Sequence, residues 1–520
     1  MNIVNINCMS NRLFILINSL SKQEKRYFKL FAGNNRKASN YIRLFDVIAK
    51  QKSYDEKQVR EYFCNETFIK QLHVTKNHLY NLILKSLQLY HTDISAESKI
   101  KKLLSFVEIL YHKGLYNECT NLLDKAKKIA IENESHLLLI EIIEWHSKIA
   151  FIVTKVSNLE KFIFEHYKNE IEILKILRNK SEYRKLFYEI LILNNLGTPI
   201  RSSFDLTKYK KIISRPLLKN EKMAISYFSR VMFYYIQAYY YLNKGEIDES
   251  SRFNERIVSL MEKDPRQIKN SPIHYVAALN NLIYSNIHLK KFSQCYTLLP
   301  KLKNIAKNYS LSNDLTIDLK EIIFIRSNFL ELELYKESYE FEKAIHLINE
   351  LKLKIHYFFS IPITRYKIFL MYTISYIYFV LSDYSNALCW INKVLNITEI
   401  KEPVDIFCFA RILNILIHYE LNNFREIEYL YQSNIRFFSK RNRLYKLESF
   451  IFNFIKNKLL NKTLSDNLVT DFINLKKELQ RITINPQDKK ALQYFDCVLW
   501  VESKIENMKM NEYLISRKNF

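Results

Sequence analysis

The sequence predicts an all-α protein, a superhelical solenoid of antiparallel helix pairs, and three observations predict it. The chain has 520 residues but only four glycines and eight prolines, where average usage would give roughly 36 glycines. A many-stranded β fold needs those turn residues, so it is disfavoured from the outset. Apolar residues recur with the 3.6 period of amphipathic helices. Finally, one unit repeats along most of the chain: an apolar helix, a short polar break, a bulky residue, and a small residue three positions on that opens a second helix.

Residues 1–95 read as an N-terminal helical module. Within it, Ser21-Lys-Gln-Glu24 has the form of a capping box ahead of the apolar stretch Tyr27–Phe31. The repeat array is expected over 96–440. Its clearest copy runs Met371-Tyr-Thr-Ile-Ser375-Tyr-Ile-Tyr378, then Tyr384 and Ala387, then Ile391 and Val394. Others centre on Tyr116 with Cys119, Ile247 with Ser250, Phe292 with Cys295, Phe341 with Ala344, and Phe424 with Ile427. The last five central positions are separated by 45, 49, 43 and 40 residues. The gap from 116 to 247 leaves room for a copy near Val156–Leu159 and another near residue 200.

Pro272 after Ser271 and Pro486 after Asn485 read as first-turn prolines, and Pro265 and Pro403 as inter-helix residues. Pro300 falls inside a second helix, where a kink or restart is expected. Residues 441–520 read as three C-terminal capping helices and a tail, because an array's end repeats otherwise expose apolar surface.

The Ser375, Tyr378, Tyr384, Ala387, Ile391, Val394 copy resembles the tetratricopeptide-repeat superfamily, and Leu103, Val107, Leu110, Tyr116, Cys119, Leu123 and Ala126 match similarly. The likeness spans roughly residues 100–440, with steps longer than the family's strict 34. It implies a TPR-like α-solenoid that binds a protein or peptide partner in the concave groove lined by the first helix of each pair. By motif offset the groove residues would be Tyr235, Tyr239, Tyr284, Tyr372 and Tyr376. Tyrosine suits that role: large contact area, little rotamer entropy to lose, and a hydroxyl. The same residues could instead be packed interior, since 36 tyrosines cannot all be contacts. The family's basic clamp for C-terminal carboxylates is not reproduced at these offsets.

A second resemblance, to the helix-turn-helix, lies at Leu72–Ile83. Thr75 would cap a recognition helix, and Lys76, Asn77, Tyr80, Asn81 and Lys85 would reach phosphates and base edges. His73 stands where that motif usually has glycine. The net charge of +25 raises the prior for an anionic partner, although the chain's bias toward Lys, Ile and Asn yields such a charge without a binding role. Arg436-Phe-Phe-Ser-Lys440-Arg441-Asn-Arg443-Leu-Tyr-Lys446 interleaves cations with aromatics as single-strand binders do; at helical spacing the aromatics would face a core instead.

Gly33, Gly114, Gly197 and Gly245 stand alone, so none of the Gly-rich phosphate loops or the serine elbow can be built. The seven cysteines include no CxxC pair and the twelve histidines no HExxH, which argues against a disulfide frame, a zinc site and any cofactor. Trp145-His146 sits on an apolar face, as a core histidine does. No paired catalytic constellation is visible, and a non-enzymatic protein is expected. The longest apolar run, Ile368–Leu381, is 14 residues, short of the ~20 a membrane span needs. A cytoplasmic location is the expectation.

Overall fold

The computed structural model describes residues 2–33, 38–93, 95–153, 156–195, 203–310, 317–361, 364–397, 404–441, 443–460, 468–483, 492 and 494–518. The described residues contain helices and no strand. They are all-α, built of antiparallel helix pairs, and divide into two compact units, residues 1–173 and 174–520.

In the first unit α1 (Asn2–Ser19), α2 (Lys22–Gly33), α3 (Ala38–Lys50), α4 (Glu56–Tyr62) and α5 (Leu72–Tyr90) surround one core that includes Leu13, Ile17, Phe28, Phe45, Val59 and Leu79. The capping box forms. The Ser21 amide donates to Glu24 Oε2 at 2.6 Å and the Glu24 amide to Ser21 Oγ at 3.2 Å, satisfying two amides that the helix leaves orphaned. At α4, Asp55 accepts from the Lys57 and Gln58 amides. Then α6 (Ala96–His112), α7 (Tyr116–Glu132) and α8 (His136–Val153) share a second core around Val107, Cys119, Leu123 and Ile142. Where a copy is expected near Val156–Leu159, α8 ends at Val153 and one long helix, α9 (Val156–Asn195), begins at Val156; the copy expected near residue 200, Asn485-Pro486 and Pro403 lie outside the described residues.

The second unit continues with α10 (Ser203–Ile213) and then pairs α11 (Tyr227–Lys244) with α12 (Ile247–Glu262). After the short α13 (Pro265–Asn270) come α14 (Pro272–His288) with α15 (Phe292–Ser310), and α16 (Ile317–Glu337) with α17 (Phe341–Leu353). The short α18 (Ile355–Ser360) leads to α19 (Arg365–Val380) with α20 (Tyr384–Leu395), and α21 (Val404–Glu420) with α22 (Phe424–Lys440). First helices pack on first helices: α14 on α16, α16 on α19, α19 on α21. Pro272 takes the first turn of α14 as expected. Pro265 does not lie between helices but opens α13, with Asp264 accepting from the Arg266 amide. Helix α15 runs through Pro300.

The turn inside each pair follows one rule. All six central residues read from the sequence are the first residue of their second helix: Tyr116, Ile247, Phe292, Phe341, Tyr384 and Phe424. Two positions earlier the backbone is left-handed, at Gly114 (φ 73°), Gly245 (96°), Lys290 (57°), Tyr339 (61°), Ser382 (62°) and Asn422 (58°). The next amide closes a six-residue loop onto the ending helix, as Leu115 N to Leu110 O and Asp383 N to Tyr378 O do at 3.1 and 2.9 Å. This is the Schellman stop. The small residues Cys119, Ser250, Cys295 and Ala387 are all fully or almost fully buried, which lets the two helices approach closely. Ser250 Oγ donates to Ala238 O at 2.9 Å, and Ser375 Oγ to Ala387 O at 2.8 Å.

Beyond residue 441 the described helices are four rather than the expected three: α23 (Lys446–Phe454, running into a π turn over Ile455–Leu460), α24 (Leu468–Thr483), α25 (Cys497–Ile505) and α26 (Met510–Lys518). They do more than end the array. The segment just before α25 turns back onto the first-helix layer, because Tyr494 and Phe495 find their apolar partners there.

Candidate functional site

The face that matters is made by one side of α11, α14, α16, α19 and α21. Of the five tyrosines expected there, Tyr235, Tyr372 and Tyr376 are buried, and Tyr239 and Tyr284 are half-buried. Tyr235 donates from its hydroxyl to His274 O at 2.9 Å and lies parallel to the Tyr239 ring. Tyr284 packs edge-on against His288. Burial pushes the phenols of Tyr235, Tyr239, Tyr284, Tyr372 and Tyr376 up, so at neutral pH they act as hydrogen-bond donors and apolar rings, not as anions.

Tyr372 and Tyr376 are not open to a partner. The chain's own segment 494–496 covers them. Tyr372 donates to the Tyr494 carbonyl at 3.0 Å. The Tyr494 ring lies flat on Phe409, centroids 4.8 Å apart, and parallel to Phe369 at 6.2 Å. Phe495 packs edge-on against Tyr376 and Phe379. Asp496 then caps α25 by accepting from the Leu499 amide at 3.0 Å. The expectation of free groove residues at these two positions is therefore corrected: their rings are spent on an internal peptide. A sequence signal for this existed. The apolar run over α19 carries no polar face, and a helix that is apolar all round is covered all round.

Polar residues missed in the sequence join the face. Asn280 donates from Nδ2 to Tyr366 Oη at 3.1 Å, and the Arg326 guanidinium stands over the Tyr366 ring at 4.6 Å. The Arg365 guanidinium stands over Phe369 at 5.6 Å. Glu333 accepts from Thr373 Oγ1 at 2.6 Å and from Lys336 Nζ at 2.7 Å. No local motif announces these residues, because three different helices contribute them.

The helix-turn-helix expectation fares differently. The element before α5 is a 3-10 turn over Thr67–Gln71, and α5 starts at Leu72. Thr75 is therefore no cap: it is buried inside the first turns and donates to Gln71 O at 3.2 Å. Lys76 is buried and donates to Glu56 Oε2 at 2.7 Å and Tyr54 Oη at 3.1 Å. A lysine held this way is not available to a phosphate. Asn77, Asn81 and Lys85 are exposed and Tyr80 is half-buried. In the basic-aromatic stretch, Phe438 is buried in the core and Phe437 is sandwiched by Arg411 and Arg441. No helix among the described residues is long and apolar enough to cross a membrane.

No family model matches the chain and no curated protein matches it. Among solved structures, it is similar to the apo form of the quorum sensor NprR from B. thuringiensis at 12% identity, over 70% of this chain and 98% of that one, with a TM-score of 0.39. It is also similar to NprR in complex with its cognate peptide NprX at 13% identity, over 70% and 97%, with a TM-score of 0.36. Likeness at this level adds nothing to the helix-pair packing already visible in the chain.

Proposed function

We propose that this protein is a non-enzymatic binding protein that takes an extended segment of a protein partner along the first-helix face of its second unit. The observation that carries this reading is the internal one: residues 494–496 lie on α19 and α21 as a bound peptide would, with a carbonyl on the Tyr372 hydroxyl and side chains between aromatic rings. A surface that satisfies one passing backbone has the chemistry to satisfy another. Next to it, Tyr239, Asn281, Tyr284 and Arg326 remain partly exposed, so the face is not used up by its own chain.

The test is photo-crosslinking in cells. A benzophenone amino acid at Tyr239 should give a discrete adduct with a partner, whose crosslinked segment mass spectrometry then identifies. The same probe at Tyr429, exposed on a second helix, is the control. Identical adducts from both positions, or none from Tyr239, would sink the reading.

A further inference from the structure

Helix α19 has 16 residues, and every one of them except Arg365, Tyr366 and Phe369 is buried. These three share one side of its first turns, directly beside the Tyr494 ring on Phe369. Across from them, α16 supplies Arg326, and α14 supplies Asn280 and Asn281.

The two arginines are half-buried and unusual in what they lack. Each contacts an aromatic ring, Tyr366 for Arg326 and Phe369 for Arg365. Among the described residues neither has a hydrogen bond or an ion pair. A guanidinium carries five N–H donors, and removing it from water without an acceptor is unfavourable. The acid of this face cannot serve them, because Glu333 is already engaged by Thr373 and Lys336. Asn280 Oδ1 is also buried and without a partner. The face thus holds two fixed, unneutralised cations next to a place where polypeptide is known to lie.

We propose that Arg326 and Arg365 form a carboxylate-binding site for an acidic side chain of the partner segment. This rests on the reading of that face as partner-binding. A carboxylate matches the guanidinium fork in shape and charge, and the flanking rings hold both forks without competing for their donors. The acid belongs to a side chain rather than a chain end, because the internal segment shows that this face takes a polypeptide passing through. Tyr239 and Asn281 at the margin are positioned to meet the flanking backbone.

The experiment uses the full chain and two fluorescein-labelled peptides with both ends capped, one alternating Tyr and Glu, the other alternating Tyr and Gln. Fluorescence anisotropy should show the Glu peptide binding on the order of tenfold or more tighter. The double variant Arg326→Gln, Arg365→Gln should erase that preference. A charge-matched control, Lys219→Gln with Arg425→Gln, should keep it. Urea unfolding should show only a small drop in midpoint for the arginine variant, since it loses two ring contacts but no internal hydrogen bond or ion pair.

Equal loss in the control would assign the effect to diffuse attraction by the +25 charge and overturn the inference. So would a clear loss of stability in the arginine variant, or no binding of either peptide at about 1 mM. A Tyr-Gln peptide with a free C-terminus that outbinds the Glu peptide would move the site to chain ends and overturn the side-chain assignment. Equal binding of the capped peptides, abolished by Tyr239→Ala, would refute carboxylate recognition while leaving the partner-binding face standing.

Discussion

The ring of Tyr494 lies on the ring of Phe409 with 7° between their planes and 4.8 Å between their centroids, so a residue near the end of the chain completes a surface built by α21. The stack is continued by Phe369 on α19. Together with Phe495 it makes the last helices part of the same core as the array.

That relationship gives the first prediction. Phe495 is 1% exposed, and truncating a buried phenylalanine costs about 3–5 kcal/mol. Phe495→Ala should therefore lower the urea midpoint of the second unit, and Tyr494→Ala should do so less, because Tyr494 is only half-buried. A midpoint unchanged in Phe495→Ala would mean that the segment is not held on this face.

The second prediction concerns the turns. Gly114 and Lys290 occupy the same left-handed position in different repeats, and a Cβ at Gly114 would meet nothing within 4 Å. Strain alone should then decide the outcome, at roughly 1 kcal/mol. Gly114→Ala should destabilise by about that amount, and Lys290→Gly, at an exposed site, should stabilise by somewhat less because glycine loses more freedom on folding. Calorimetry showing Gly114→Ala stabilising or Lys290→Gly destabilising would refute the common turn rule.

A third prediction follows from the buried lysine of α5. Burial pushes the Glu56 carboxyl up, but hydrogen bonds from Lys76 and Arg60 outweigh it and hold it down to about 2, below its ordinary 4.5. A carboxyl depressed on folding contributes fully above pH 4.5, and that contribution is lost as the pH falls toward 2. Glu56→Gln should cost about 2 kcal/mol at neutral pH and flatten the acid limb of the stability curve between those values. Lys76→Ala should behave the same way and leave any salt dependence of DNA binding unchanged. A DNA-binding slope reduced by this substitution would instead restore Lys76 to a phosphate-contacting role.

Much of this molecule was legible in residue order because its rules are local. The capping box at Ser21 and Glu24 is a contact between residues three apart, and its types alone predict it. The second-helix starts at Tyr116, Ile247, Phe292, Phe341, Tyr384 and Phe424 were readable because a residue three positions on, small in five of the six, must sit buried under the preceding helix. Four of the six turns hide their left-handed residue behind Lys, Tyr, Ser or Asn, which is why so few glycines suffice.

What the tertiary structure decided is which side chains are already taken. Motif offset singles out Tyr372 and Tyr376 as groove residues. Only packing reveals that residues more than a hundred positions later cover them. In the same way Lys76 looks like a free cation until Glu56 of α4 and Tyr54 from the turn before it arrive, and Arg326 and Arg365 look like two of 79 basic residues until they are found without a counter-charge. Local sequence determines helices because their hydrogen bonds close within four residues. Availability for a partner depends on burial and pairing, which are set by contacts between distant parts of the chain.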